Sequence, residues 1–551
     1  MTSIKKTVES FLYPFIDKYT EAVYHGGEDT VMEGVRVLDD ETGFTHGALI
    51  HAAAILYVKR MSEEDSRAEE VLTRLLEFID IAVKRDRLFT WGKLAALRAL
   101  TKLSRAGLLD KITPDRLTAL NRLTDYSDFL DKETLELRGY PTNYYHVALA
   151  CALYRERLGF DGESFSERIE EKLYSFVFIE GAYPDEEPKL GRYDRYSFLL
   201  AAELADLYRD VEMPLPDGVK RNLLKSVDFA LFMSNPIGDG WNYGRSLSMH
   251  GDLAPAELIA SALAHGLVKE DEKEKALSYI LAVLEKTLFF WYDVHRQSFN
   301  IWWDGKTTNN YRHTHRILEV NMDMASHLYA LCDNLLAAGL AESPVSRVIP
   351  MPREWEYKKL EFDGAIAAYI LRHEDTLSML PFIGTKKLMK NTSYNPFPAI
   401  CGVIEASPES SLPFLIPEYT DTDGEKYRPA HHVYKTEEKR TEDGLLITAY
   451  GRLMRASDGD ATDIEYRHDF LFSGSSIISE IEIFSDMTCA EMITATESDD
   501  TVMLVGGFDS SERLEISDTD DFKTPHGAYT RAYRHTSTTP KRLGYKITFH
   551  G

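Results

Sequence analysis

Amphipathic segments with an apolar period near 3.6 residues recur through the first 340 residues of this 551-residue chain, and loops carrying Gly, Pro or Asp separate them. The pattern predicts helices near 3–19, 47–61, 65–84, 91–105, 114–130, 143–158, 165–178, 193–209, 218–233, 254–266, 270–288 and 316–338. Taken in pairs, these form about six hairpins that repeat every 50 residues or so. A helix that is apolar on one face has to bury that face. Sequential hairpins do this either as an open solenoid or as a closed ring of inner and outer helices. The intervals are uneven and the loops hold aromatic and charged clusters, which favours a ring with a functional mouth.

The period changes after Ala341 to Trp355, where Pro344, Pro350 and Pro352 interrupt any helix. Short β-type segments follow at 365–371, 445–453, 464–472 and 477–484. In Ile464, Tyr466, His468, Phe470 and Phe472 every second residue is large and mostly apolar, while Glu465, Arg467 and Asp469 alternate with them, so one face is buried and one is wet. With polar turns such as Asp421 to Gly424, this predicts an antiparallel β-sandwich. The expected organisation is multidomain α + β. An (α/α) toroid over 1–340 carries the site, 341–358 is a linker, and the sandwich spans 359–551.

The formal charge of -26 repels nucleic acid and anionic membranes at long range, and no run of Lys or Arg offsets it. An acidic substrate therefore has to meet a locally basic cleft. Cys151, Cys332, Cys401 and Cys489 stand singly, without metal-type pairs or a disulfide framework. The opening residues lack a basic head, a short apolar run and a cleavage site, and no apolar stretch has bilayer length, so a cytoplasmic location without a membrane partner is expected. There is no phosphate-cradling loop, dinucleotide fingerprint, paired-His zinc helix or Gly-x-Ser-x-Gly elbow. Neither a cofactor nor a metal is expected, and the oligomeric state is left open.

Chemistry-bearing residues gather at the loop-to-helix junctions of the helical half. Asn143 and His146 lie three apart in Pro141-Thr142-Asn143-Tyr144-Tyr145-His146, where Asn143 also fits a helix N-cap. Arg192, Tyr193, Asp194, Arg195 and Tyr196 crowd a second helix start, and the three-residue spacing of the tyrosines suggests a shared face. A third cluster runs from Asp239 through Trp241, Tyr243 and Arg245 to His250, and a fourth from Trp302, Trp303 and Asp304 through Asn310, Tyr311 and Arg312 to Arg316. Aromatic faces stack on sugar rings and Arg grips a carboxylate through two bonds, so this is plausible sugar-site chemistry. His313 and His315 have no acidic or cysteine partner at a metal-ligand spacing. In the β half, His431 and His432 form the most site-like group.

These clusters resemble polysaccharide lyases of the heparinase and alginate-lyase types, which join a helical toroid to an antiparallel β domain. In that family an Asn/His pair opens one helix, and an acidic-Gly-aromatic segment leads into a Tyr-containing helix start about fifty residues later. Asn143 and His146 precede Tyr193 and Tyr196 by a comparable interval. Here Asn-Tyr-Tyr-His replaces a contiguous Asn-His, and Tyr-Pro-Asp-Glu-Glu replaces the usual Asp-Gly-Ser type. The resemblance implies β-elimination on a uronic-acid-containing oligo- or polysaccharide. Asn143, with Arg192 or Arg245, would neutralise the carboxylate. Tyr193 or Tyr196 with His146 would supply the base and acid, with His431 or His432 auxiliary. Trp241, Tyr243, His250, Trp303, Asn310, Tyr311 and Arg312 would bind the sugar. Two other classes compete with this reading: a toroidal glycoside hydrolase using carboxylates among Asp185, Asp194, Asp239 and Asp304, and a non-catalytic carbohydrate-binding protein.

Overall fold

A computed structural model describes residues 3–38, 43–177, 193–308, 312–363, 366–383, 395–405, 407, 412–496, 501–516 and 520–549. Among them twelve α-helices precede the first long strand: α1 Ile4–Gly26, α2 Phe44–Ser62, α3 Ala68–Arg85, α4 Thr90–Arg105, α5 Pro114–Leu123, α6 Tyr144–Leu158, α7 Ser166–Val177, α8 Arg195–Asp210, α9 Asp217–Met233, α10 Met249–Ala264, α11 Lys273–Lys286 and α12 Ile317–Ala337. The even-numbered helices touch in succession, α2 to α4 to α6 to α8 to α10 to α12, and α12 returns to α2, so they close a ring. The odd-numbered helices pack outside it, for example α3 on α2, α7 on α6 and α11 on α10.

The inner helices run parallel, because equivalent turns meet all the way round. Trp91 stacks on His146 at the starts of α4 and α6. Further along, Tyr154 of α6 donates to Asp210 of α8, Ser261 of α10 donates to Asp206 of α8, and His51 of α2 meets Ser326 of α12. Helix α10 is buried from Met249 to Leu263, as expected of a helix walled in on every side, whereas outer helix α3 buries one stripe and leaves Glu69, Glu70, Thr73 and Glu77 exposed. Close approach of α2 and α4 depends on glycine. A Cβ on Gly47 would lie 2.1 Å from the Gly92 carbonyl oxygen, and one on Gly92 would lie 2.5 Å from that of Gly43.

Beyond Trp355 the chain is antiparallel β. Strands Glu356–Asp363, Ile366–His373, Thr376–Phe382 and Ala399–Ile400 form a four-stranded sheet. A second, eleven-stranded sheet is centred on Gly444–Arg455, Ala461–Ser473, Ser476–Ile483 and Arg542–Thr548. Tyr369, Leu371 and Phe382 of the first sheet share one core with Ile447, Phe470, Phe472, Ile477 and Ile547 of the second, which is the face-to-face packing of a sandwich. The alternation read around residue 466 holds, since Tyr466, His468, Phe470 and Phe472 are buried and their neighbours are not.

The two halves are bonded directly. Asn242 donates to the Ala399 carbonyl at 2.8 Å, Thr307 N–H to Thr524 O at 2.9 Å, and Lys358 to Asp228 O at 3.1 Å. Lys286 of α11 sits 3.2 Å from His526 Nε2, whose Nδ1 meets Glu405 at 2.8 Å. No helix among the described residues is long and apolar enough to cross a membrane.

Candidate active site

Because the inner helices are parallel, all six begin at one end of the ring, and the polar junctions around residues 143, 196, 245 and 312 are brought to that same end. Asp194 caps α8 by accepting from Tyr196 N–H at 2.8 Å, and its other oxygen accepts from Arg245 N–H at 3.4 Å, tying two junctions together. Tyr196 is half-buried between two guanidiniums, with Arg195 4.1 Å and Arg245 4.9 Å from its ring centre. Its hydroxyl lies 3.0 Å from Ser246 Oγ, which also accepts from Arg312 Nε at 3.5 Å.

Asn143 occupies the N-cap position of α6 in αR geometry, yet its side chain makes no capping bond, and Oδ1 is buried without a hydrogen-bond partner among the described residues. One turn on, His146 is fully buried, with Nε2 3.3 Å from Glu203 Oε2. Burial pushes the Glu203 carboxyl up, but Arg98, 3.4 Å away, and then His146 outweigh it and hold it down to about 2. His250 is buried in the first turn of α10 with Nε2 3.2 Å from Asp323, and burial together with the Arg312 charge keeps its pKa well below the ordinary value.

Below this end the ring encloses a cavity with an empty volume of about 840 Å³, part of it open to solvent. Arg98, Glu203, Asp206, Glu257, Asp323 and His327 are among its lining residues. Asp206 accepts from Ser261 Oγ at 2.7 Å and Asn334 Nδ2 at 2.9 Å, and burial raises its carboxyl to about 7. The cavity's far end is bridged by the ion pairs Arg105–Asp210 at 3.0 Å and Arg209–Asp333 at 2.9 Å.

Several residues expected at the site lie elsewhere. Tyr193 is sealed in the core, 5.9 Å from the Phe198 ring and 5.7 Å from that of Trp241, and burial drives its phenol far above the usual range. The two tyrosines diverge because α8 begins only at Arg195 and Asp194 is extended, so helical spacing does not apply between them. Trp241 and Tyr243 are buried, edge against face, at 2 % and 1 % exposure, so neither offers a free face to a sugar. Trp303 is half-buried and donates to Glu33 at 2.6 Å, with Arg296 over its ring. His431 is buried against the Ile383 carbonyl, and desolvation lowers it to about 4 in spite of that bond, while His432 bonds the Gly459 carbonyl at 2.9 Å, so both are held within the β half. The β-half histidine bonded to the helical half is His526, which the sequence reading passed over. Arg192, Asn310, Tyr311 and Asp185 lie outside the described residues.

Of the carboxylates weighed for hydrolysis, the three among the described residues are engaged. Asp194 caps α8, Asp239 pairs with Lys286 at 2.6 Å, and Asp304 accepts from Asn300 at 2.7 Å and pairs with Arg296. Sequence reading also missed Trp91, Glu203, Glu257, Asp323 and His327, and it held Ser246 only as part of the third cluster. Only the four-residue interval from Asp323 to His327, which puts both on one helix face, was open to inspection beforehand.

A toroid of paired helices joined to an antiparallel β-sandwich is the fold of the polysaccharide lyases that the sequence resembles. The structure is similar to that of a Streptomyces coelicolor chondroitin AC lyase mutant, with a TM-score of 0.52 and 12 % identity over 97 % of this chain and 79 % of that one. A chondroitinase AC lyase matches with a TM-score of 0.48 and 10 % identity over 99 % and 82 % of the two chains. A family 88 glycosyl hydrolase from Bacteroides vulgatus matches 59 % of this chain and 99 % of its own, with a TM-score of 0.39 and 10 % identity. No protein-family model matches the sequence, and no curated protein matches it either.

Proposed function

We propose that this protein is a carbohydrate-active enzyme, a lyase that cleaves uronic-acid-containing oligo- or polysaccharides by β-elimination. The observation that carries the reading is the half-buried Tyr196, flanked by Arg195 and Arg245 at the end of the ring where Asn143 and His146 also lie. The hydrogen at C5 of a uronate is weakly acidic, and the negative carboxylate beside it opposes its removal. Donors that engage the carboxylate lower that barrier. Asn143 and Arg245 take this role, since an amide N–H and a guanidinium fork both match a carboxylate. Cations beside a phenol favour its ionised form, so Tyr196 removes the C5 proton, with its hydroxyl positioned by Ser246. The C4–O bond then breaks as the C4–C5 double bond forms, and the leaving oxygen takes a proton from the re-protonated Tyr196 or from His146. The basic groups at this end answer the objection raised by the net charge, because they give an acidic sugar a local partner.

A second reading, hydrolysis, draws support from Glu203 and Asp206. Both face the cavity, and their environments push their acidities in opposite directions, as a carboxylate and a proton-holding acid require.

One experiment separates the two. The protein is incubated with a panel of uronate-containing oligosaccharides while the ultraviolet absorbance of the unsaturated product is followed. Elimination raises the absorbance. New reducing ends without that rise mean hydrolysis, and sugar binding without either product means a non-catalytic role.

A further inference from the structure

Two groups of potential metal ligands are present among the described residues, and they differ in what already fills them. In the first, Asp239, Cys401 and His526 surround the Lys286 ammonium, which lies 2.6 Å from Asp239, 2.8 Å from Asp252 and 3.2 Å from His526 Nε2. A built-in cation neutralises those carboxylates, and this group is the joint between the two halves.

The second group holds no lysine or arginine of its own, and its positive partner is the His327 ring, which bridges Asp323 and Glu257 and can exchange a proton for a metal ion. Asp323 Oδ2 lies 3.2 Å from His250 Nε2 and Asp323 Oδ1 lies 3.5 Å from His327 Nε2, and the three ligand atoms fall within 4.8 Å of one another. Zinc bonds of about 2.0–2.1 Å at tetrahedral angles place neighbouring ligand atoms about 3.4 Å apart, and since His250 and His327 approach different oxygens of Asp323, a small rotation of that carboxylate brings one oxygen to both. Rigid elements hold all three side chains: His250 sits in the first turn of α10, and Asp323 and His327 are one turn apart on α12. The far nitrogen of His327, Nδ1, meets Glu257 Oε1 at 2.7 Å. A carboxylate on the distal nitrogen orients the ring and makes it more basic, which is the usual outer arrangement around a zinc-bound histidine, and an ion at Nε2 would take the place of the proton that now faces Asp323. Asp323, His327 and Glu257 line the solvent-reached cavity, which supplies an entry path and room for a fourth ligand.

We propose that His250, Asp323 and His327 bind one divalent transition ion of the zinc type, with Glu257 orienting His327 and a fourth position open to the cavity. Two imidazoles and one carboxylate favour zinc or cobalt over calcium and magnesium, which prefer all-oxygen sites. The site is independent of the lyase reading, because it is tested by binding alone.

The full chain, stripped with chelator and dialysed, is titrated with Zn²⁺ by calorimetry and with Co²⁺ by visible spectroscopy. The expected result is one equivalent bound with micromolar or tighter affinity, and the intense visible bands of four-coordinate cobalt. H327Q and D323N, checked for folding by circular dichroism, lose binding, and E257Q binds about 10–100-fold more weakly. Absence of binding by the wild-type chain overturns the proposal, as does stoichiometric binding that all three substitutions leave unchanged. If the variants do not fold, the wild-type cobalt spectrum decides: weak six-coordinate bands overturn the site and four-coordinate bands support it.

Discussion

The hydroxyl of Tyr196 lies 3.0 Å from Ser246 Oγ although 50 residues separate them, and that contact joins the start of α8 to the loop that leads into α10. It fixes where the phenol points while the two flanking guanidiniums set its electrostatic surroundings. Removing the hydroxyl should therefore abolish proton transfer without harming the fold. Y196F is expected to lower kcat on a uronate substrate by about 10²–10⁴-fold, the range typical of a lost acid-base group, with an unchanged melting curve. S246A should lose about tenfold, the equivalent of one positioning hydrogen bond. An active Y196F enzyme would remove Tyr196 from the chemistry.

Arg245 makes a different prediction. Its backbone N–H is bonded to Asp194, so substitution of the side chain keeps that bond while removing the 3.9 Å ion pair between its Nε and the same carboxylate. R245A should lose about 10²–10³-fold in kcat/KM on uronates, as for loss of one stabilising donor. R245K should recover only part of this, because an ammonium lacks the planar fork. The loss should be confined to the uronate, with R245A matching wild type on the methyl ester, which carries no charge to neutralise; an equal loss on both substrates would remove Arg245 from that role.

The pH dependence of stability should carry a mark of Asp206. Its carboxyl is raised to about 7 from 3.8, so the folded state holds that proton over a range in which the unfolded chain has lost it. Stability is then lost as pH climbs from about 4 to about 7, and the full cost of the buried charge is present above that window. D206N removes this slope and should be more stable than wild type by about 2 kcal/mol at mildly alkaline pH, a figure reduced for the solvent in the cavity. Denaturant melts of both proteins across the window test this. Activity of the same variant bears on mechanism, because elimination by Tyr196 survives the substitution and hydrolysis through Asp206 does not.

Close packing between α2 and α4 offers a stability test at residues that take no part in the proposed chemistry. A methyl at Gly47 would collide with the Gly92 backbone at 2.1 Å, and backbone on both sides leaves nothing flexible to give way. G47A is expected to cost about 1–3 kcal/mol, seen as a lower denaturation midpoint, despite the better helix propensity of Ala. A neutral result would mean that the two helices pack less closely than described.

Much of this molecule was legible before any coordinates. The 3.6-residue period located helices such as α3 because an outer helix buries one face, and the two-residue period around Tyr466 located a sandwich strand for the same reason. Clusters of Asn, Tyr, Arg and His at helix starts were visible too, and the parallel ring explains why such starts share one end. What the chain could not disclose was direction. Tyr193 and Tyr196 read as a matched pair, yet one extended residue at Asp194 sends the first into the core and the second toward Arg245. Nor could it disclose long-range company. His250, Asp323 and His327 meet only because α10 and α12 are neighbours, and His526 rather than His431 reaches the helices because of how the sandwich docks. Periodicity is a local property written in consecutive residues, whereas the meeting of side chains from different helices depends on packing angles and loop paths that no short segment encodes.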